Sequence, residues 1–150
     1  MQPANILVAD DDAVARDLLV EALKKEGYAV EAFASGEEII ARGRQGQVDL
    51  VLTDIRMGAV DGLTVLREFK RMSPDTAVVV LTSFGSLEGA IQAIKQGAYD
   101  YLAKPFKKED ITLVVKRSLD HCRLVRENTR IREELKTKDE WSPLVGSSPA

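Results

Sequence analysis

The sequence predicts an α/β protein: a doubly wound, five-stranded parallel sheet in the order 2-1-3-4-5, with an extended helix at its C-terminal end. Three features lead there. Short apolar runs alternate five times with helical patterns, which calls for strands joined by helical crossovers and therefore a parallel sheet with helices on both faces. The run Ala77-Val78-Val79-Val80-Leu81 is wholly apolar and rich in β-branched residues, as expected of a central strand covered on both sides. Right-handed crossovers leave few topologies open, and the five-stranded doubly wound order is 2-1-3-4-5.

Each element has its own signature. Ile6-Leu7-Val8-Ala9 is too short for a helix and is closed by Asp10-Asp11-Asp12, which makes it the first strand. Val14, Leu18, Leu19, Ala22 and Leu23 recur at helical spacing up to Gly27. Tyr28 to Phe33 alternates like a strand. Ser35-Gly36-Glu37-Glu38 has the capping-box pattern, and Ile39, Ile40 and Ala41 follow it. Leu50-Val51-Leu52 is a third strand running into Asp54, and a third helix carries Leu63, Leu66 and Phe69 inward before stopping at Ser73-Pro74. After the central fourth strand, Ala90, Ile91 and Ile94 mark a helix that ends at Gly97. Tyr99 to Ala103 is a short fifth strand, cut off by Lys104-Pro105, and a last helix opens near Glu109.

That last helix is too long for the domain. Glu109 to Thr137 is 29 residues, or about 43 Å at 1.5 Å per residue, whereas a compact domain of this size is only ~35 Å across. The helix should protrude. Leu124, Asn128, Ile131 and Leu135 follow one another at 4-3-4 spacing, a short heptad seam. Asn128 falls at an a position, where a polar residue fixes register at a cost in stability. One reading is a solvated amphipathic helix. The preferred one is a dimerising linker over residues 123–143, ending at Trp141-Ser142-Pro143.

Composition sets the outer limits. The chain has 150 residues and is 45% apolar and 30% charged, which excludes a wholly disordered chain. No apolar run approaches the ~18 residues needed to cross a bilayer. The N-terminus lacks the basic region of a secretory signal. A single cysteine, Cys122, reads as a small apolar helix residue and fits a reducing cytoplasm. A net charge of −3 is not that of a general nucleic-acid binder.

In such a sheet, ligands sit beyond the carboxyl ends of the strands, at the switch point between strands one and three. The polar residues there are Asp10-Asp11-Asp12, Asp54, Thr82-Ser83 and Lys104. Three or more carboxylates converging on one spot repel one another unless a cation is present, and a small set of hard oxygens suits Mg²⁺ that keeps part of its water. A hydroxyl and a lysine complete a site for a phosphoryl group. Asp54, alone at the end of a buried strand, is the natural nucleophile. Mg²⁺ would offset the charge between carboxylate and phosphoryl group, Lys104 would pair with one phosphoryl oxygen, and Thr82 would donate to another. Taken singly these residues are weak signals; Asp12, in particular, reads equally well as a helix cap. Agreement among four strand ends carries the inference.

Ile6-Leu7-Val8-Ala9-Asp10-Asp11, Leu52-Thr53-Asp54-Ile55-Arg56-Met57, Leu81-Thr82-Ser83 and Tyr101-Leu102-Ala103-Lys104-Pro105-Phe106 together resemble the receiver domain of bacterial response regulators. The resemblance implies a flavodoxin-like receiver over residues 1–122, phosphorylated at Asp54 by a sensor histidine kinase. It implies Mg²⁺ held by Asp11, Asp54 and the backbone carbonyl of Arg56, with Asp10 acting through water. It also implies a cis peptide before Pro105, and a switch in which Thr82 moves toward the phosphoryl group and Tyr101 turns inward. That switch would alter the surface of helix four, strand five and helix five. One departure stands out: Gly58 occupies the position where the family commonly has proline.

Leu144-Val145-Gly146-Ser147-Ser148-Pro149-Ala150 is similar to the start of the AAA+ domain in NtrC-like, sigma-54-dependent activators. This resemblance implies ATPase and DNA-binding parts beyond Ala150, controlled through a rearranged receiver–linker homodimer. It implies a cytoplasmic signalling protein that catalyses only its own phosphotransfer and dephosphorylation, without direct nucleic-acid binding by this segment. Three rival readings remain. A haloacid-dehalogenase-like phosphatase would use Asp10 as nucleophile and Asp12 as acid–base, but it needs a further acidic motif after its lysine and leaves Asp54 unexplained. A pseudo-receiver would only dimerise, against the intact acceptor set. A basic-region zipper would need more heptads and a less mixed charge.

Overall fold

Five strands, β1 (Asn5–Ala9), β2 (Ala29–Phe33), β3 (Leu50–Asp54), β4 (Ala77–Thr82) and β5 (Asp100–Ala103), alternate along the chain with five helices. The helices are α1 (Ala13–Lys25), α2 (Gly36–Gly43), α3 (Gly62–Met72), α4 (Leu87–Lys95) and α5 (Lys108–Trp141). The structure, a computed structural model, describes the backbone of residues 3–83 and 87–141 and the side chains of residues 3–83 and 87–131. All strand pairs are parallel, in the order β2-β1-β3-β4-β5. The expected topology is therefore the observed one.

Successive side chains of a strand point to opposite faces, and here both faces are covered. Ile6, Val8, Leu50, Leu52, Val79 and Leu81 join the core beneath α1 and α5. Their neighbours Leu7, Ala9, Val51, Val78 and Val80 join the core beneath α2, α3 and α4. This double burial is why β1, β3 and β4 read as continuous apolar runs. The edge strand β2 leaves Ala29, Glu31 and Ala32 exposed, hence its alternation.

The helix boundaries follow local chemistry. Ser35 caps α2 by accepting from the Glu38 amide at 3.3 Å, and α3 ends with the Ser73 amide donating to the Phe69 carbonyl at 2.8 Å. Two helical stripes are narrower than their spacing suggests. On α1, Ala15, Leu19, Ala22 and Leu23 face the core, while Val14 and Leu18 are exposed. On α4 the small residues Ala90 and Ala93 let the helix lie close to the sheet, and Ile91 and Ile94 face outward.

The last helix begins one residue earlier than expected and runs to Trp141. It crosses residue 122 without a break. Ile111, Val115 and Cys122 anchor its first half in the core, whereas residues 127–131 are exposed.

Candidate functional site

The two central strands β1 and β3 are neighbours, and their carboxyl ends bring Asp10 and Asp54 together. Asp10 is fully buried and Asp54 nearly so, while Asp11 is exposed. Carboxylate oxygens of Asp10, Asp11 and Asp54 all lie within 4.8 Å of one another. Lys104, just past β5, places Nζ 2.8 Å from Oδ2 of Asp10 and 2.8 Å from Oδ2 of Asp54. Its backbone amide donates to the Thr82 carbonyl at 2.7 Å, and the Lys104–Pro105 peptide is cis. Main-chain amides hold the other oxygens: Asp12 donates to Oδ1 of Asp10 at 2.9 Å, and Arg56 donates to Oδ1 of Asp54 at 3.1 Å.

The charges do not balance. Three carboxylates converge on one ammonium, which pairs with both Asp10 and Asp54 at 2.8 Å. Burial pushes the Asp10 carboxyl above the usual aspartate range, and the Asp54 charge adds to this against the pull of Lys104 and the Asp12 amide. Burial opposes the Lys104 charge too, but the two carboxylates together outweigh it and hold the ammonium above the ordinary lysine range. A cluster of three carboxylates short of positive charge, two of them buried, fits a divalent cation such as Mg²⁺.

The triple aspartate is sorted by the helix that follows it. Asp12 is the N-cap of α1 and accepts from the Val14 amide at 3.0 Å, so Asp10 and Asp11 are left for the cluster. Thr82 is buried at the end of β4, one residue beyond Leu81, the partner of Asp54 in the β3–β4 register. Tyr101 stands apart on the edge strand β5, 39% exposed. Leu124, Asn128 and Ile131 are all exposed on α5. The side chain of Leu135, and residues 142–150 with the Leu144–Ala150 segment, lie outside the described residues.

One feature of the loop after Asp54 went unread in the sequence. A Cβ at Gly62 would come within 2.3 Å of the Asp54 carbonyl oxygen and 2.7 Å of Ile55 Cα, so only glycine lets α3 start against the backbone of Asp54 and Ile55. The Gly62 amide donates to the Ile55 carbonyl at 2.8 Å. Its signal was available: Asp61, the N-cap that accepts from the Thr64 amide at 2.9 Å, directly precedes it. Gly58 has φ +44°, which proline, locked near −65°, cannot adopt. The departure from the family pattern is thus a different loop conformation. Arg16, which donates to the Asp10 carbonyl oxygen at 2.8 Å, carried no sequence signal at all.

Comparison with known proteins agrees with this geometry. Residues 6–116 match the response regulator receiver domain. The chain belongs to the response regulator receiver family. It is 34% identical over 145 residues to the C4-dicarboxylate transport transcriptional regulatory protein DctD of Rhizobium meliloti, covering 97% of this chain and 32% of that protein. It is 33% identical to the DNA-binding transcriptional regulator NtrC of Proteus hauseri, over 100% of this chain and 31% of that one. The chain therefore spans about a third of the length of these curated relatives. Among solved structures, NtrX from Brucella abortus in complex with ADP superposes with a TM-score of 0.83 at 33% identity, over 93% of this chain and 34% of that one. The isolated receiver domain of NtrX gives 0.74 at 36% identity, over 77% and 98%. The family is one of signalling domains, and its receivers are acceptors in two-component systems. No described helix is long and apolar enough to cross a membrane.

Proposed function

We propose that this chain is a phosphoacceptor module in which a sensor histidine kinase transfers a phosphoryl group to Asp54. The observation that carries the reading is the carboxylate cluster: Asp10, Asp11 and Asp54 within 4.8 Å of one another, with one ammonium, Lys104, shared between two of them. Asp11, Asp54 and the Arg56 carbonyl would hold Mg²⁺, with Asp10 reaching it through water; the bound ion supplies the positive charge that lets a carboxylate meet an anionic phosphoryl group. Lys104, already bonded to Oδ2 of Asp54, would pair with a phosphoryl oxygen. Thr82 would donate to another and move toward it, drawing Tyr101 inward. Leu87, Ile91, Ile94 and Tyr101, all exposed on α4 and β5, form the surface that such a movement would remodel.

Downstream, the output would be a rearranged homodimer, paired through the receiver and the Leu124–Leu135 seam. That rearrangement would control AAA+ and DNA-binding domains in a cytoplasmic sigma-54-dependent activator. The chain's chemistry would be confined to its own phosphorylation and dephosphorylation.

Incubation with a small acyl phosphate, with and without Mg²⁺, followed by intact mass measurement, tests the acceptor. One phosphoryl group is expected on the wild type with Mg²⁺ and none on Asp54→Asn. A wild type that never gains mass would favour a pseudo-receiver. Labelling that survives Asp54→Asn and vanishes with Asp10→Asn would favour the phosphatase reading, against which the capping role of Asp12 already counts.

A further inference from the structure

At the opposite end of the sheet from Asp54, one residue of α5 meets three acceptors on the body. Arg126 Nε donates to Oδ2 of Asp75 at 2.8 Å, a second guanidinium nitrogen donates to Oδ1 of Asp49, and the third donates to the Val48 carbonyl at 2.8 Å. Asp49 immediately precedes β3, and Asp75 lies two residues before β4. Asp49 is itself tied to the start of β1, since its Oδ2 accepts from the Asn5 amide at 2.7 Å. One side chain thus spans the amino ends of β3 and β4 from a helix that is about to leave the body. The planar fork of arginine suits this, since its donors leave three separate nitrogens, whereas the three donors of a lysine all leave one.

The position of Arg126 on the helix matters as much as its partners. At about 100° per residue it stands about 200° from Leu124, on the same side as Val115, Leu119 and Cys122; Val115 and Cys122 are buried, and Leu119 packs against the same core. Leu124, Asn128 and Ile131 lie on the other side, and both apolar members are exposed, at 60% and 46%. Beyond Arg126 there are 15 residues of helix to Trp141, about 22 Å, and from Glu127 to Ile131 every side chain is exposed.

We propose that Arg126 is a positioning residue that sets both the direction and the rotation of α5 as it leaves the receiver, turning the Leu124–Asn128–Ile131 face outward toward a second copy of this chain. This rests on the reading of that face as a homodimer seam, and deepens it: the seam is presented by an ion-pair clamp at the sheet's amino end. Without the clamp, the outgoing helix keeps its sequence but loses its fixed bearing on the body, so pairing must order it first.

Two measurements on the 150-residue chain separate the clamp from the seam. Amide hydrogen exchange is followed in a Leu124→Asp/Ile131→Asp background, where the seam cannot pair, with and without Arg126→Gln. Exchange over residues 123–131 should accelerate at least tenfold while residues 111–119 and β3 keep their protection. Asp75→Asn, which removes one arm, should give a smaller acceleration over the same residues. Unchanged exchange over 123–131, or equal acceleration throughout the chain, would overturn the clamp. Sedimentation equilibrium then compares Arg126→Gln with wild type, both with the seam intact, and a dimer at least tenfold weaker is expected. A dimer of undiminished strength would overturn the clamp's control of the seam. A wild type that stays monomeric would instead remove the homodimer reading, with the exchange result still deciding the clamp.

Discussion

Both ends of the sheet place one basic side chain between two aspartates, yet the two arrangements differ in kind. At the amino end, Arg126 meets Asp49 and Asp75, and each of the four carboxylate oxygens has a donor: the Asn5 amide and Arg126 for Asp49, the Ser73 hydroxyl and Arg126 for Asp75. At the carboxyl end, one Lys104 ammonium is shared between Asp10 and Asp54, and a third carboxylate, Asp11, stands beside them. The first set is complete in itself and holds the fold. The second is left short of charge, at a cost in stability, and is therefore the end that can bind something. Burying more negative than positive charge is expensive, and a bound cation would relieve it.

The strongest way to break the contrast is to add a methyl group where the acceptor end has no room. Gly62→Ala forces a Cβ against the Asp54 carbonyl. It should lower stability by about 2–3 kcal/mol in urea unfolding and slow labelling by a small acyl phosphate. A neutral result would mean that α3 can slide and that the acceptor loop is not gripped.

A sharper test applies one chemical change to both ends. Asp10→Asn removes a fully buried charge whose carboxyl is pushed up by burial, so without Mg²⁺ it should stabilise the protein while weakening Mg²⁺ binding. Asp75→Asn removes an acid whose carboxyl sits below its usual range, where the Arg126 guanidinium overcomes the effect of burial. It should destabilise, though by no more than about 1 kcal/mol because Asp75 is partly screened by solvent. Effects of equal sign would erase the distinction between the two ends.

The smallest effect is the pH dependence, measured in chelator. An acid with a raised folded pKa binds its proton more tightly when folded, so its cost to stability is relieved as pH falls toward the ordinary aspartate value of about 3.9. Asp10 should act in that upper window. An acid with a lowered folded pKa loses its contribution below that value, as pH falls through the folded pKa, and Asp75 should act there. Asp10→Asn should flatten the upper limb of the stability curve and Asp75→Asn the lower one.

The acceptor end was largely legible in the sequence because its residues sit at strand ends, which hydrophobic runs locate to within a residue or two. Asp10, Asp54, Thr82 and Lys104 each terminate or directly follow such a run. The amino end was not legible. Arg126, Asp49 and Asp75 are separated by up to 77 positions, and a charged residue on a helix or in a loop looks the same whether it is solvated or clamped. The exposed Val14, Leu18, Ile91 and Ile94 show the same gap from the other side, since spacing says that a residue lies on an apolar stripe without saying which part of the stripe meets the sheet.

Hydrophobic periodicity and the terminal residues of each run by themselves determined the five-stranded sheet, its order, the residues of the carboxylate–lysine cluster and the overlong last helix, because these depend on neighbours within a few residues and on the handedness of crossovers. Only the tertiary structure decided that Asp12 caps α1 and leaves Asp10 and Asp11 to the cluster, that Gly62 must be glycine, that Gly58 turns the loop where proline could not, and that Arg126 holds α5 to the sheet. The first and third are local geometries that residue type leaves open among alternatives; the second and fourth depend on close approach between segments that exists only once the chain has closed on itself.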